Sequence, residues 1–174
     1  MIEIESKILD IDKKKVIEKL EKMNYKNKRE KKLISLLYDT KENSILEQGG
    51  VVRLRFDGEK GYLTIKKPIK NNNEKIKIFD EEESEINFHD MEKEFRNTHI
   101  LILKTEKIRK TYVFEDCLVE IDTYLGNLNF IPTFMEIEAI DEETILKKAK
   151  ELEFNEKDLN KMNTLDLIKK YSST

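Results

Sequence analysis

The chain has 174 residues, the size of one domain with a core of moderate extent. Hydrophobic residues make up only 38 % and charged residues 40 %, yet 33 Lys and Arg against 36 Asp and Glu leave a formal charge of -3, so bulk attraction to nucleic acid or an anionic membrane is not indicated. A lone cysteine, Cys117, excludes an internal disulfide framework and a thiolate zinc site. No stretch reads as a signal peptide or membrane span, the longest apolar run being Ile100 to Leu103, and a cytoplasmic protein is expected.

Residues 2 to 9 read as a strand, and Asp12 is placed to cap a helix running to about Met23, with Val16, Ile17, Leu20 and Met23 on one side. Leu33 to Tyr38 reads as a strand ending at Asp39-Thr40. Gly49-Gly50 then turns the chain into Val51 to Phe56, and Asp57-Gly58 or Gly61 turns it back into Tyr62 to Lys67, a hairpin signal. A polar loop at Lys70 to Glu74 leads to a strand at Lys75 to Ile86 and a short helix at Asp90 to Asn97. Strands are expected at Leu101 to Phe114, Cys117 to Tyr124 and Phe134 to Ala139. Asp141 opens a helix carrying Ile145, Leu146, Ala149 and Leu152, and a last amphipathic segment sets Leu159, Met162, Leu165, Ile168 and Tyr171 on one stripe. The whole chain, 1–174, is thus expected to be a single domain with a helical C-terminal segment over about 141–171.

Side chains alternate between the two faces of a strand, so parity sorts each strand into two sets. Glu3, Glu5 and Lys7 share a face against Ile2, Ile4 and Ile8. Arg53 and Arg55 oppose Val52, Leu54 and Phe56. Thr64 and Lys66 oppose Leu63 and Ile65. The odd positions from Lys75 carry Lys77, Phe79, Glu81 and Glu83, although a one-residue slip in the acidic run Asp80 to Glu85 would present Glu82 instead. Lys107 and Arg109 align, as do Glu120 with Asp122 and Glu136 with Glu138.

For a single pair of this kind, a solvated sheet face is the ordinary reading. The set differs in two ways. Some strands present only carboxylates and others only Arg and Lys, and nearly every strand takes part, so a closed sheet could turn all the charges inward while helices cover its apolar outside. An interior of both signs suits a triphosphate with a divalent metal. Arg and Lys pair with phosphate oxygens, and clustered carboxylates hold a hard cation such as Mg2+ or Mn2+.

The ordered set Glu3-x-Glu5-x-Lys7, Tyr38-x-Thr40, Arg53-Leu54-Arg55, Leu63-Thr64-Ile65-Lys66, Glu81-x-Glu83, Lys107-x-Arg109 with Tyr112, Asp122 and Glu136-Ile137-Glu138 resembles the CYTH domain, or triphosphate tunnel metalloenzyme, family over nearly the whole chain. The resemblance implies an α+β fold: a closed eight-stranded antiparallel β-barrel, a tunnel, with α-helices packed outside. It implies Mg2+ or Mn2+ held by Glu3, Glu5 and Glu138, with Glu136 and Asp122 next, and phosphate bound by Lys7, Arg53, Arg55, Lys66, Lys107 and Arg109. Lys7 and Glu5 are the expected catalytic pair, and Glu81, Glu83 and Glu120 are further tunnel carboxylates. Where the family usually has an arginine two residues before the central Glu-x-Glu, this chain has Phe79, with Lys77 on the same face. Asn127 to Thr133 lengthens the turn before Glu136 and is expected to alter one mouth.

The implied activity is metal-dependent hydrolysis of inorganic tripolyphosphate or of a nucleoside or thiamine triphosphate. Alternatives are a class IV adenylate cyclase making cyclic AMP and pyrophosphate from ATP, and a non-catalytic polyphosphate or nucleotide-binding module. The expected partner is a triphosphate-containing small molecule, without nucleic acid or membrane, and family members commonly pair as homodimers. Other chemistries find no support: the only histidines, His89 and His99, lie ten apart, and no Gly-x-x-x-x-Gly-Lys sequence occurs.

Overall fold

The computed structural model describes residues 1–172. Strands β1 (Ile2–Ile8), β2 (Asn27–Asp39), β3 (Val51–Phe56), β4 (Gly61–Ile69), β5 (Lys77–Ile86), β6 (Ile100–Val113), β7 (Cys117–Tyr124), β8 (Phe134–Ala139) and β9 (Leu159–Asn160) form one sheet. Helices α1 (Lys13–Leu20), α2 (Ser44–Glu47), α3 (Phe88–Thr98), α4 (Glu142–Glu151) and α5 (Thr164–Ser172) complete the fold.

The antiparallel strand order is β5-β4-β3-β2-β6-β7-β8-β1, and β1 pairs back onto β5, closing an eight-stranded barrel. The short β9 continues the hydrogen bonding of β1 beyond β5, at Lys7 and Ile8. A closed sheet has one inside and one outside, so the parity of each strand becomes a radial sorting. Here the charged set points in. The apolar set points out and is covered by helices.

Two apolar clusters make that cover, and a third packs against the cavity lining. Ile8, Val119, Ile121, Met135 and Ile137 pack under Val16 and Leu20 of α1 and Ile145, Ala149 and Leu152. Leu36, Tyr38, Leu54 and Phe88 form a second cluster under α3, joined by Phe95. Tyr124 and Phe134, which share the inward parity of Asp122 and Glu136 and line the cavity, form the third with Leu128, Ile131 and Leu167 of α5. The lengthened turn at Asn127 to Thr133 therefore contributes Leu128 and Ile131 to the seat of α5.

Local signals account for most element ends. The Asp12 carboxylate accepts from the backbone N–H of Lys14 and Lys15, and Asp141 from that of Thr144, as N-caps do. Gly61 is required by close approach, because a Cβ there would lie 2.6 Å from Phe88 Cβ and 2.9 Å from the Ile86 carbonyl.

Three elements depart from expectation. β2 begins at Asn27, six residues early, because the run Lys28 to Lys32 pairs with Ile108 to Tyr112 of β6. α2 was not expected at all. Asn43, the residue before it, makes no capping bond; the buried Asp39 carboxylate accepts instead from the N–H groups of Thr40, Ile45 and Leu46. The segment after α4 is not one helical stripe. Reciprocal bonds between Asn155 and Asp158, and between Asn163 and Asp166, start new elements, so Leu159 falls in β9 and only Leu165, Ile168 and Tyr171 of the expected stripe lie on α5. The residue α5 buries completely is Leu167. No described helix is long and apolar enough to cross a membrane.

Candidate active site in the barrel interior

The barrel encloses a cavity of about 680 Å3 lined by nine Lys and Arg and nine Asp and Glu residues. All of the site residues expected from sequence reach it: Glu3, Glu5, Lys7, Arg53, Arg55, Lys66, Glu81, Glu83, Lys107, Arg109, Glu120, Asp122, Glu136 and Glu138. Strand register explains their convergence. Pairing of Thr64 with Glu83 and Lys66 with Glu81 fixes β5 with its odd residues inward, which settles the slip left open by the acidic run. Lys77 and Phe79 face in as well, with the Lys66 and Lys77 ammonium groups 5.5 and 5.9 Å from the Phe79 ring centre. An aromatic face attracts a cation, so Phe79 gathers positive charge where an arginine was expected without providing a donor to phosphate.

Most of the cations are held by carboxylates. Asp122, fully buried, accepts from Lys107 at 2.6 Å and from Arg109 at 2.7 and 2.6 Å. Arg109 also pairs with Glu120, and with Glu136 at 3.1 Å, and Lys7 pairs with Glu136 and lies 3.8 Å from Glu5. Lys66 pairs with Glu3, and with Glu81 at 2.8 Å; Arg55 takes Glu83 through two bonds of 2.7 and 3.0 Å. Lys77 reaches Glu5 at 3.5 Å. Arg53 differs. One terminal nitrogen donates to Thr64 at 3.3 Å, but its Nε is buried with no acceptor, and no carboxylate pairs with it among the described residues.

These surroundings shift protonation in two directions. Burial opposes ionisation of Asp122 and Glu136, but Arg109 and Lys107 for the first, and Lys7 and Arg109 for the second, hold both below the usual carboxylate range. Burial also opposes the Lys7 charge, and Glu136 and Glu5 more than compensate, so its pKa is raised. Burial and the neighbouring Arg109 depress Lys107 to about 8. Glu3 is pushed up to about 8 by burial and then by Glu5, and Glu138 to about 7 by burial and then by Glu120.

Glu138 is thus an acid short of positive charge, and Glu3 is raised although it pairs with Lys66. Glu138 stands directly across from Glu5 in the β1–β8 pairing, and like charges so placed repel. As the side chains lie, no three His, Cys, Asp or Glu groups among the described residues gather at one point. The donors are nonetheless all hard oxygen ligands. A Mg2+-type ion keeps several waters and takes one or two carboxylates, so Glu3, Glu5 and Glu138 fit such an ion chemically. Asp122 and Glu136, also expected as ligands, are occupied by Lys and Arg in this arrangement, as Glu3 is by Lys66 and Glu5, at longer range, by Lys7 and Lys77.

Sequence reading placed Thr64 on the charged face without a partner and did not name Thr111. Each inward hydroxyl donates to a carboxylate, Thr64 to Glu83 at 2.7 Å and Thr111 to Glu120 at 3.0 Å, and strand parity alone would have found both. Lys31 was missed because the strand was started at Leu33; it lines one mouth and binds Asp57 at 2.5 Å.

Known structures share this architecture. A conserved hypothetical protein of Pyrococcus furiosus superposes with a TM-score of 0.79 at 25 % identity, covering 95 % of this chain and 99 % of its own. A Pyrococcus horikoshii protein gives 0.79 at 19 % identity, over 95 % and 98 %. A Hippeastrum protein described as having a dominant triphosphatase activity gives 0.69 at 15 % identity, over 97 % and 95 %. Comparison with curated protein sequences yields no match. The family model for the CYTH domain matches residues 1–167, and the chain therefore belongs to the CYTH domain family.

Proposed function

We propose that this protein is a divalent-metal-dependent enzyme that hydrolyses a triphosphate inside the barrel. The observation carrying this reading is Arg53: a half-buried arginine whose Nε has no acceptor, in a cavity where most other cations are matched by carboxylates, is a position suited to an anion. Arg55, Lys66 and Lys107 extend the basic lining and would hold the rest of a phosphate chain. Lys7, kept charged by Glu136 and Glu5, would stabilise negative charge that develops on phosphate oxygens. Glu3, Glu5 and Glu138 would bind Mg2+ or Mn2+, which when bound supplies Lewis acidity and neutralises phosphate charge.

A module that only bound anions would gain nothing from placing Glu5 opposite Glu138 and Glu120 opposite Glu136, since each pair repels the ligand as well as itself. That cost favours an enzyme over a sensor. The test is to incubate the purified protein with tripolyphosphate, ATP or thiamine triphosphate and Mg2+ or Mn2+, measuring phosphate, pyrophosphate and cyclic AMP. Phosphate release that is lost in Glu5→Gln, and a raised KM in Arg53→Ala, are the expected results. Cyclic AMP would establish the cyclase reaction instead, and no product from any mixture would overturn the enzyme reading.

A further inference from the structure

Phe79 is an unusual residue for a charged cavity. It lines the interior from β5 and is only 7 % exposed, yet it belongs to none of the three apolar clusters. Its partners across the strands are Glu3 on β1 and Pro68 on β4. The ring instead meets two ammonium groups, Lys66 Nζ at 5.5 Å and Lys77 Nζ at 5.9 Å from its centre. Both lie within the range of a cation–π attraction, which strengthens where water is scarce.

The two lysines differ in what else they hold. Lys66 pairs with Glu3, and with Glu81 at 2.8 Å. Lys77 stands across from Glu5 and reaches its carboxylate only at 3.5 Å, and no other carboxylate pairs with it among the described residues. Glu5 is in turn shared: Lys7 lies 3.8 Å from the same oxygen, and Lys66 3.9 Å from the other. An ammonium carries three donors. On a side chain only 16 % exposed, that of Lys77 has one long, shared ion pair and a ring face. A cation so placed gains from an added anion.

From this geometry we infer that Lys77 is a phosphate-binding residue and that Phe79 is the positioning residue that aims it, its ring holding the Lys77 and Lys66 ammonium groups against one stretch of the wall. The ring attracts charge without placing a carboxylate on it, so Lys77 keeps donors for phosphate oxygens. The inference rests on the triphosphate reading above and adds to it one residue and the means of placing it.

A mutant cycle tests it. Calorimetry with Mg2+ measures affinity for whichever of tripolyphosphate, ATP and thiamine triphosphate binds the wild-type protein most tightly. Lys77→Met and Phe79→Leu should each weaken binding about tenfold, and Phe79→Tyr, which keeps the ring, should stay within about twofold of wild type. The two residues act as a unit, so the double variant should lose well under about a hundredfold. Taking a cation away from Glu5 favours a bound metal, so weaker binding in Lys77→Met cannot come from metal loss. Urea unfolding reports the fold, and Phe79→Met replaces Phe79→Leu in the cycle if the latter does not fold. Unchanged binding in Lys77→Met or Phe79→Leu, equal losses in Phe79→Leu and Phe79→Tyr, or losses that simply multiply would each overturn the inference and leave the triphosphate reading standing. Failure of the wild-type protein to bind any of the three would overturn both.

Discussion

Asp122→Asn probes how dry the barrel interior is. The carboxylate has no exposed surface and receives Lys107 at 2.6 Å and Arg109 at 2.7 and 2.6 Å, while the Lys107 and Arg109 side chains are only 12 % and 13 % exposed. Removing one partner of a buried pair costs about 3–5 kcal/mol, because the remaining charge stays desolvated. Arg109 keeps Glu120 and Glu136, so the loss falls mainly on Lys107 and should lie at the lower end, about 3 kcal/mol. Lys107 already sits at about 8 through burial and its Arg109 neighbour, and without Asp122 it falls further. The folded variant then releases this proton at a pH where the unfolded chain still holds it, so the variant regains stability as pH rises. Urea unfolding followed by circular dichroism should show the full deficit at pH 6 and a smaller one at pH 9. A loss below about 1 kcal/mol at pH 6 would show that water screens these groups as it does surface pairs, and the reasoning from a desolvated interior would fail.

Further outcomes follow from other sites. Glu3 and Glu138 have folded-state pKa values raised to about 8 and about 7, so their contribution to stability is present below about 4.5 and is lost as pH rises through those values. With a chelator, denaturation at pH 5 and pH 8 should show lower stability at pH 8, a decline that Mg2+ reduces; higher stability at pH 8 would contradict the assignment. Tyr38 is fully buried with its hydroxyl unpartnered, so Tyr38→Phe should leave the melting temperature unchanged or raise stability by about 1 kcal/mol. Asp39→Ala removes the acceptor for three backbone N–H groups around α2 and should cost about 2 kcal/mol by urea denaturation.

What was legible in the sequence was whatever depends on period two. Glu3, Glu5 and Lys7 against three isoleucines already state which face is the interior, and the same holds for Arg53 with Arg55 and for Glu136 with Glu138. The early part of β2 was hidden because Lys28 to Lys32 place charge on both faces, and its strand character comes from the partner β6. α2 was hidden because its capping carboxylate, Asp39, lies outside the helix it satisfies, at the end of the preceding strand. The break between β9 and α5 was readable in the two Asn-x-x-Asp sequences but was overridden by a helical stripe. Individual ion pairs could not be read at all. Which carboxylate holds which cation follows from the stagger of neighbouring strands, and this stagger sets Arg53 opposite Thr64 and Leu37, with no carboxylate directly across from it.

Closure of the barrel by β1 has a consequence for synthesis. Ile2 to Glu5 find their partners at Lys77 to Asp80, while Ile4 to Ile8 wait for Met135 to Ala139 and Lys7 and Ile8 for Leu159 and Asn160. The stave emerging first from the ribosome is thus among the last to be seated, and until then its isoleucine edge and those of β5 and β8 are open to wrong neighbours. Such long-range pairing makes slow folding and a need for shielding of the nascent chain the natural state of affairs for this architecture.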